Sequence, residues 1–210
     1  SSNSFKFNEN DFISNKMNLA IKSNDPKKMA FFAENVRGKM DMVALKGAFE
    51  SNDKQILNDF QLNEYKTSMD KMEWMFKDST LAMSSTKPLE KTFFQSQHKF
   101  QDSLKYNAQS SFMSFKTNKL RVEGIPYIPV ADAQVFPDSG LIRIKPKADI
   151  DSLKNASIKA DTADFFHQIY ASNLKIRSKY RMGGLGNYDY INKTKTPQKI
   201  YCDNVRTEQD

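Results

Sequence analysis

The residues of this chain whose types and spacing could do chemistry are a few carboxylates, two histidines and one run of cations. Asp149 and Asp151 stand one residue apart, and Asp132 lies upstream beside a turn signal. Glycoside hydrolysis needs two carboxylates flanking a bond, and all-β folds host many such sites. With 25 acidic residues in 210, such neighbours also arise by chance, so no catalytic residue is assigned. His98 and His167 sit in neither an H-x-x-x-H nor a C-x-x-C-like setting, and no metal site is expected. His167, beside Phe165, Phe166 and Tyr170, reads as a partly buried structural histidine. The chain contains no G-x-S-x-G elbow, Walker loop or G-x-G-x-x-G fingerprint. Gly183-Gly184-Leu185-Gly186 joins two strand patterns and opens no helix, so it lacks the amide arrangement that cradles phosphate. No cofactor is expected, and the chain reads as non-catalytic.

The cations are the best candidate binding surface. Across 174–182 every odd position is basic (Lys175, Arg177, Lys179, Arg181), and the even ones are apolar except Ser178. A helix would spread those charges around its circumference, whereas a strand sets all four on one face, about 7 Å apart. Such a ladder could follow an anionic polymer. The competing and preferred reading is an exposed face kept charged to discourage edge pairing. Gly183-Gly184 supplies a turn, and the chain returns through Tyr188 and Tyr190. A two-residue loop would set Tyr188 and Tyr190 opposite Lys179 and Arg177; a three-residue loop ending at Leu185, the preferred register, pairs Tyr180 with Tyr188 and keeps one face apolar.

Strands must hold these residues, and a period of two recurs along the chain. Leu120 and Val122 flank Arg121; Ile142 and Ile144 alternate with Arg143 and Lys145. Pro137-Asp138-Ser139-Gly140 is a turn signal between them. Further strands are expected around Met17 to Ile21, Val36 to Phe49, Tyr65 to Phe76 and Leu104 to Phe115, separated by Asn- and Asp-rich joints. Two short helices are the most the pattern allows, at Asp161 to Tyr170 and Asp25 to Ala30. A weak repeat runs from Ala33-Glu34-Asn35-Val36, Ala108-Gln109-Ser110-Ser111 and Ala171-Ser172-Asn173-Leu174 to a glycine further on. The fold class is therefore all-β, in stacked antiparallel or solenoid-like layers of jellyroll or β-helix type. The chain reads as one β-layered segment over 1–210, with a subdivision near 86–98.

Composition agrees. Hydrophobic residues make up 39%, yet aromatics reach 12%, as suits sheets buried on one face. A net charge of +7 is compatible with nucleic acid, anionic lipid or acidic polysaccharide, but also with a plain solvated surface. The single Cys202 excludes an internal disulfide. The start lacks the charged and apolar regions of a signal peptide, so the chain reads as a mature product or a fragment of something longer.

Several phrases occur together. They are Gly47-Ala48-Phe49-Glu50-Ser51-Asn52, Tyr65-Lys66-Thr67-Ser68-Met69-Asp70-Lys71-Met72-Glu73-Trp74, Val122-Glu123-Gly124-Ile125-Pro126-Tyr127-Ile128-Pro129-Val130-Ala131-Asp132-Ala133, and Tyr188-Asp189-Tyr190. In this order, from about Asn35 onward, the chain resembles a segment of the very large, uncharacterised β-rich cell-envelope proteins of Bacteroidetes. The resemblance implies an exported, periplasmic or outer-membrane-associated structural protein built from successive β layers. It supplies no catalytic residues. The partners it implies are other envelope proteins or neighbouring β layers, with lipid or polysaccharide as further candidates; nucleic acid is not expected. Pro126 and Pro129 then mark an edge or bend, and Asp132 serves backbone donors at a turn. A carbohydrate-binding or carbohydrate-cleaving β-helix is the alternative.

Overall fold

The computed structural model describes residues 5–23, 27–160, 167–191 and 196–207. The chain is all-β: 62% of the described residues are strand, every pairing among them is antiparallel, and none of them forms a helix of seven residues or more. Its strands run in hairpins. These are β1 (Phe5–Phe7) with β2 (Asp11–Lys22), β3 (Met29–Asp41) with β4 (Lys46–Ser51), and β5 (Asn58–Phe60) with β6 (Tyr65–Thr67). Next come β7 (Lys71–Met75) with β8 (Thr80–Ser84), β9 (Phe93–Ser96) with β10 (Lys105–Asn107), and β11 (Ser110–Ser114) with β12 (Lys119–Glu123). Then follow β13 (Ile128–Val130) with β14 (Ala133–Phe136), and β15 (Ile142–Lys145) with β16 (Asp149–Ile150). The last four are β17 (Leu153–Ala160), β18 (His167–Ile176), β19 (Met182–Ile191) and β20 (Pro197–Arg206).

The larger sheet divides at β3. One part of that long strand pairs with β4 over 36–41, while Phe32 pairs with Asp59 of β5. Asn35, between the two, takes a positive φ of 52° and marks the bend. From there one branch runs β4-β7-β8-β11-β12-β15-β16 and the other β5-β6-β9-β10, the hairpins alternating between them along the chain. The second, smaller sheet runs β13-β14-β17-β18-β19-β20. The sheet change after β12 falls at 124–127; the 86–98 stretch holds β9, which pairs with β6 and β10 inside the larger sheet.

Register explains how the first branch makes a core. Directly paired residues share a face, and two cross-strand rows follow from that. One runs Phe5, Ser14, Gly38, Phe49, Met72, Met83, Ser111, Val122, Ile142. The other runs Phe7, Phe12, Met40, Gly47, Trp74, Leu81, Met113, Leu120, Ile144, Ile150. Phe49 lies across Gly38 and Gly47, where any side chain would collide with its ring. Leu81, Met113, Leu120 and Ile144 are wholly buried, and the other branch supplies Phe60, Tyr65, Phe94 and Tyr106 to the same core. Each such side chain contributes about 1.5–3 kcal/mol by leaving water. The opposite face carries a mixed row, in which Lys39, Glu73, Arg121 and Arg143 are interspersed with Ala48, Ala82 and Phe112.

Four hairpins turn in the same way. The loops at 42–45, 61–64, 76–79 and 115–118 each have four residues and end in a left-handed one: Leu45, Glu64, Ser79 and Asn118, at φ 52° to 56°. This is the repeat of the fold. The three Ala-led phrases are not equivalent positions: Ala33 and Ala108 are buried, while Ala171 is exposed at φ 48°.

Several expected strands divide, the first at such a turn and the other two where the chain crosses between branches. Val36 to Phe49 spans β3, a loop and β4; Tyr65 to Phe76 holds β6 and β7; Leu104 to Phe115 holds β10 and β11. The Pro137–Gly140 turn is present, with Ser139 and Gly140 left-handed and the Gly140 N–H bonded to the Pro137 carbonyl at 3.0 Å. Pro129 sits in β13, the edge strand of the smaller sheet, where its missing N–H costs no ladder bond. Residues 24–26 and 161–166 lie outside the described residues, so both helix readings fall partly there; Met29–Ala30 and 167–170 are strand.

Buried polar groups tie the layers at both rims. On one side Asn63 donates to the carbonyls of Asn118 (3.0 Å) and Ile144 (3.1 Å), crossing from the β5–β6 loop to the other branch. On the other, buried Asp70 accepts from the Thr86 amide at 2.8 Å and hydroxyl at 2.6 Å, with the Lys54 ammonium 3.8 Å away. Burial pushes the Asp70 carboxyl up, but the Thr86 bonds together with Lys87 and Lys54 outweigh it and hold the group below its ordinary value. Its stabilising contribution is therefore complete above the unfolded carboxylate pKa of about 4 and is lost as pH falls through the lower folded value. Asp70→Asn should lower the urea midpoint at pH 7 and flatten the acid limb of the stability–pH curve. An acid limb identical to that of the unaltered chain would refute this role.

Candidate functional site

The four cations at 175–181 do not form a ladder. Of the four, only Lys175 belongs to β18, which ends at Ile176; the turn falls at 177–181, with Ile176 paired to Met182. The physical reason is Ser178, the one break in the alternation. It is fully buried, its hydroxyl accepts from the Tyr180 N–H at 3.1 Å, and the N–H groups of Arg177 and Ser178 converge on the Arg181 carbonyl. Gly183 and Gly184 consequently lie inside β19. Gly184 is required by close approach, since a Cβ there would overlap the Asn173 carbonyl across the ladder. Tyr188 pairs with Ile169, not with Tyr180.

Each cation has a separate setting. Lys175 binds Asp149 at 2.6 Å and also the Ile150 carbonyl, joining β18 to the edge of the larger sheet. Lys145 binds Asp151 at 2.5 Å and approaches Asp149 at 3.9 Å; its bond to Asp151 raises the Lys145 pKa. Asp149 and Asp151 thus belong to a four-charge network and do not stand as a free acid pair. Arg177, Lys179 and Arg181 are exposed on the loop. The Lys179 backbone is a staple: its N–H donates to the Gln101 carbonyl of the larger sheet (3.1 Å), and its carbonyl accepts from Ala131 of the smaller one (2.8 Å). Gln101 is itself buried, accepting the Tyr65 hydroxyl at 2.7 Å and donating to the Ala148 carbonyl at 2.7 Å. Burial raises the pKa of Tyr65 far above that of a solvated phenol, so this hydroxyl stays a donor at any working pH.

Where the staple crosses, the two sheets leave a cleft of about 460 Å³ between edge strands β10 and β13. Gln95, Ser103, Lys105 and Asn107 line its larger-sheet side, with Tyr106 at the base; Tyr127, Pro129 and Lys179 line the other. Four separate stretches of sequence build it, so no local pattern announces it. Pro126 precedes it in the connection between the sheets, and exposed Asp132 sits in the β13–β14 turn. A larger cleft, about 630 Å³, lies by the Pro137–Gly140 turn and places Asp138 and Asp151 among Arg143 and Lys154. Asp151 is already paired to Lys145 there.

The histidines are apart in role. His98 accepts the Phe100 N–H at 3.2 Å, with Glu64 3.8 Å from its other nitrogen. His167 is exposed, not partly buried, and its ring nitrogen lies 3.3 Å from the Tyr188 hydroxyl. Among the described residues no group of three or more His, Cys, Asp or Glu could hold a metal ion. No described helix is long and apolar enough to cross a membrane. Asn192-Lys193-Thr194, an N-x-[ST] match, lies outside the described residues.

Comparison with family models, with curated proteins and with solved structures finds no match.

The contrast between staple and loop is measurable. Gln101→Ala strands the buried Tyr65 hydroxyl and should cost about 1–3 kcal/mol in urea unfolding. Arg177→Ser, on the exposed loop, should stay within about 0.5 kcal/mol of the unaltered chain.

Proposed function

We propose that this chain is a structural, scaffolding β-layered segment of an exported cell-envelope protein, which joins further β layers edge to edge. One observation carries the reading: the apolar inner rows continue past the covered core. From Leu81 to Ile150 the second row is wholly buried, but Trp74, Met40 and Phe12 are only half-buried and Phe7 is 69% exposed. Phe5, Phe7 and Phe12 form one ring cluster, with Phe7 and Phe12 centroids 4.9 Å apart. Met42 and Val43, in the adjoining loop, are exposed beside it, with the Met42 N–H bonded to Asn10. A contiguous apolar ledge of this kind is costly unless something covers it.

The strand at this ledge supports the same reading. Among the described residues β1 pairs on one side only, as does β20 at the far end of the smaller sheet. Another β layer could add a strand to β1 and cover its aromatic face at once. A lipid conduit would need the apolar face open along its length, and it closes from Leu81 onward. The ledge therefore favours bridging between layers over passage of lipid. The resemblance to Bacteroidetes envelope proteins points the same way.

The purified chain should self-associate reversibly through this ledge and bind an apolar-surface dye. Phe7→Lys with Phe12→Lys should abolish both while leaving the unfolding midpoint nearly unchanged. A chain that is monomeric at high concentration and binds no dye would remove the bridging role. Recovery of the parent protein in the cytosol, and not in envelope fractions, would remove the envelope assignment.

A further inference from the structure

The cleft between β10 and β13 shares no residue with the ledge, and its chemistry is of another kind. Outer and inner residues alternate along β9 and β10: Phe94 and Tyr106 enter the core, while Lys66, Gln95 and Lys105 form a cross-strand row outside. That row reaches the seam at Lys105. Strand pairing stops there, and Tyr127 and Pro129 stand on the opposite bank, both exposed.

Three features of the lining select a ligand. The first is charge. Lys105 rests over the Phe93 ring at 3.7 Å and Lys179 over the Tyr180 ring at 5.2 Å, and among the described residues neither ammonium is paired with a carboxylate. A ring face holds an ammonium in place without consuming its donors. The residues lining the cleft include no acid. The second is unused amide chemistry. Asn107 spends its NH₂ on the carbonyls of Leu89, Glu90 and Thr92 and so keeps its amide oxygen, while the Gln95 amide makes no hydrogen bond among the described residues. Together they offer an acceptor and a complete amide, the mixed set that a hydroxyl-rich ligand uses. The third is an apolar wall. Tyr127 is held near Phe136, with ring centroids 6.1 Å apart, and stands beside Pro129. Simple anion binding needs no such wall, and an apolar ligand would leave the amides and ammonium groups unused.

We propose that this cleft binds an acidic saccharide. The carboxylate or phosphate of the sugar is held by Lys105 and Lys179, its hydroxyls meet Gln95 and Asn107, and its ring face lies on Tyr127. The volume is within the range of small-ligand sites and suits one or two sugar residues. A longer chain would continue across the strands on either side of the seam. The inference does not rest on the bridging role, because the ledge and the cleft share no residue.

The test is titration calorimetry at low and at high salt. The probes are a galacturonate oligosaccharide, a sugar phosphate, a neutral cello-oligosaccharide, and inorganic polyphosphate matched to the first in charge. The uronate oligomer or the sugar phosphate should bind saturably, and which of them binds identifies the acidic group. The neutral oligomer should not bind, and polyphosphate should bind more weakly. Lys105→Gln with Lys179→Gln should weaken binding by about tenfold or more, the scale of one lost charge-assisted contact. The unfolding midpoint should not move, since the staple uses the Lys179 backbone. Tyr127→Ala should weaken the saccharide but not polyphosphate, and Tyr127→Phe should retain it. The proposal is overturned if neither acidic sugar binds, if binding survives the double lysine variant, or if polyphosphate binds as tightly as the sugar and ignores Tyr127.

Discussion

The constraint on which the rest of this structure depends is that two cross-strand rows, apolar but for a few small residues, must keep facing the core along one branch. Because the side-chain period is two, a one-residue slip in any hairpin would carry its part of both rows to the solvent face. The chain therefore needs turns that return each strand in phase. The four-residue loop with a left-handed last residue does so at Leu45, Glu64, Ser79 and Asn118. Two of those residues are poor choices for positive φ, and the strain is tolerated because the paired strands on both sides fix the loop length.

That is also why the fold was legible in class and less so in detail. Alternation marks Leu120–Val122 and Ile142–Ile144, where buried and charged residues sit side by side, and Pro137–Gly140 carries its turn in its own residues. The loops at 42–45 and 61–64 offer no glycine or proline, so Val36 to Phe49 reads as one strand where the chain makes two. The 174–182 segment shows the opposite failure. Its alternation is clear, but the pattern is a property of single residues, and the backbone bonds around buried Ser178 decide the outcome. The glycines that read as a turn instead answer to a carbonyl on the neighbouring strand, a contact no local pattern reveals.

The candidate site was legible only in part. Lys179 was among the cations singled out, but its companions in the cleft, Gln95, Lys105, Asn107 and Tyr127, come from three other stretches and only tertiary pairing assembles them. Lys175 likewise looked like a free cation until β16 brought Asp149 to it. Charge read along a sequence counts residues, whereas availability depends on which carboxylates the fold delivers. Here the fold neutralises Lys145 and Lys175 and leaves Lys105 and Lys179 resting on aromatic rings.

The buried polar groups give the two branches their alignment. Apolar rows alone would let one layer slide along the other, because one buried methyl group packs much like the next. The Asn63 NH₂ reaches the backbone of Asn118 and Ile144, although its buried amide oxygen has no partner among the described residues, and Gln101 joins Tyr65 to Ala148, so these bonds form in one alignment only. Leaving such groups unpaired in a low-dielectric interior costs more than the bonds themselves contribute. The clasps therefore act by penalising every other alignment. Lys179 extends the same logic to the second sheet. With one N–H and one carbonyl it fixes the seam, so the cleft beside it is a consequence of how the sheets are joined.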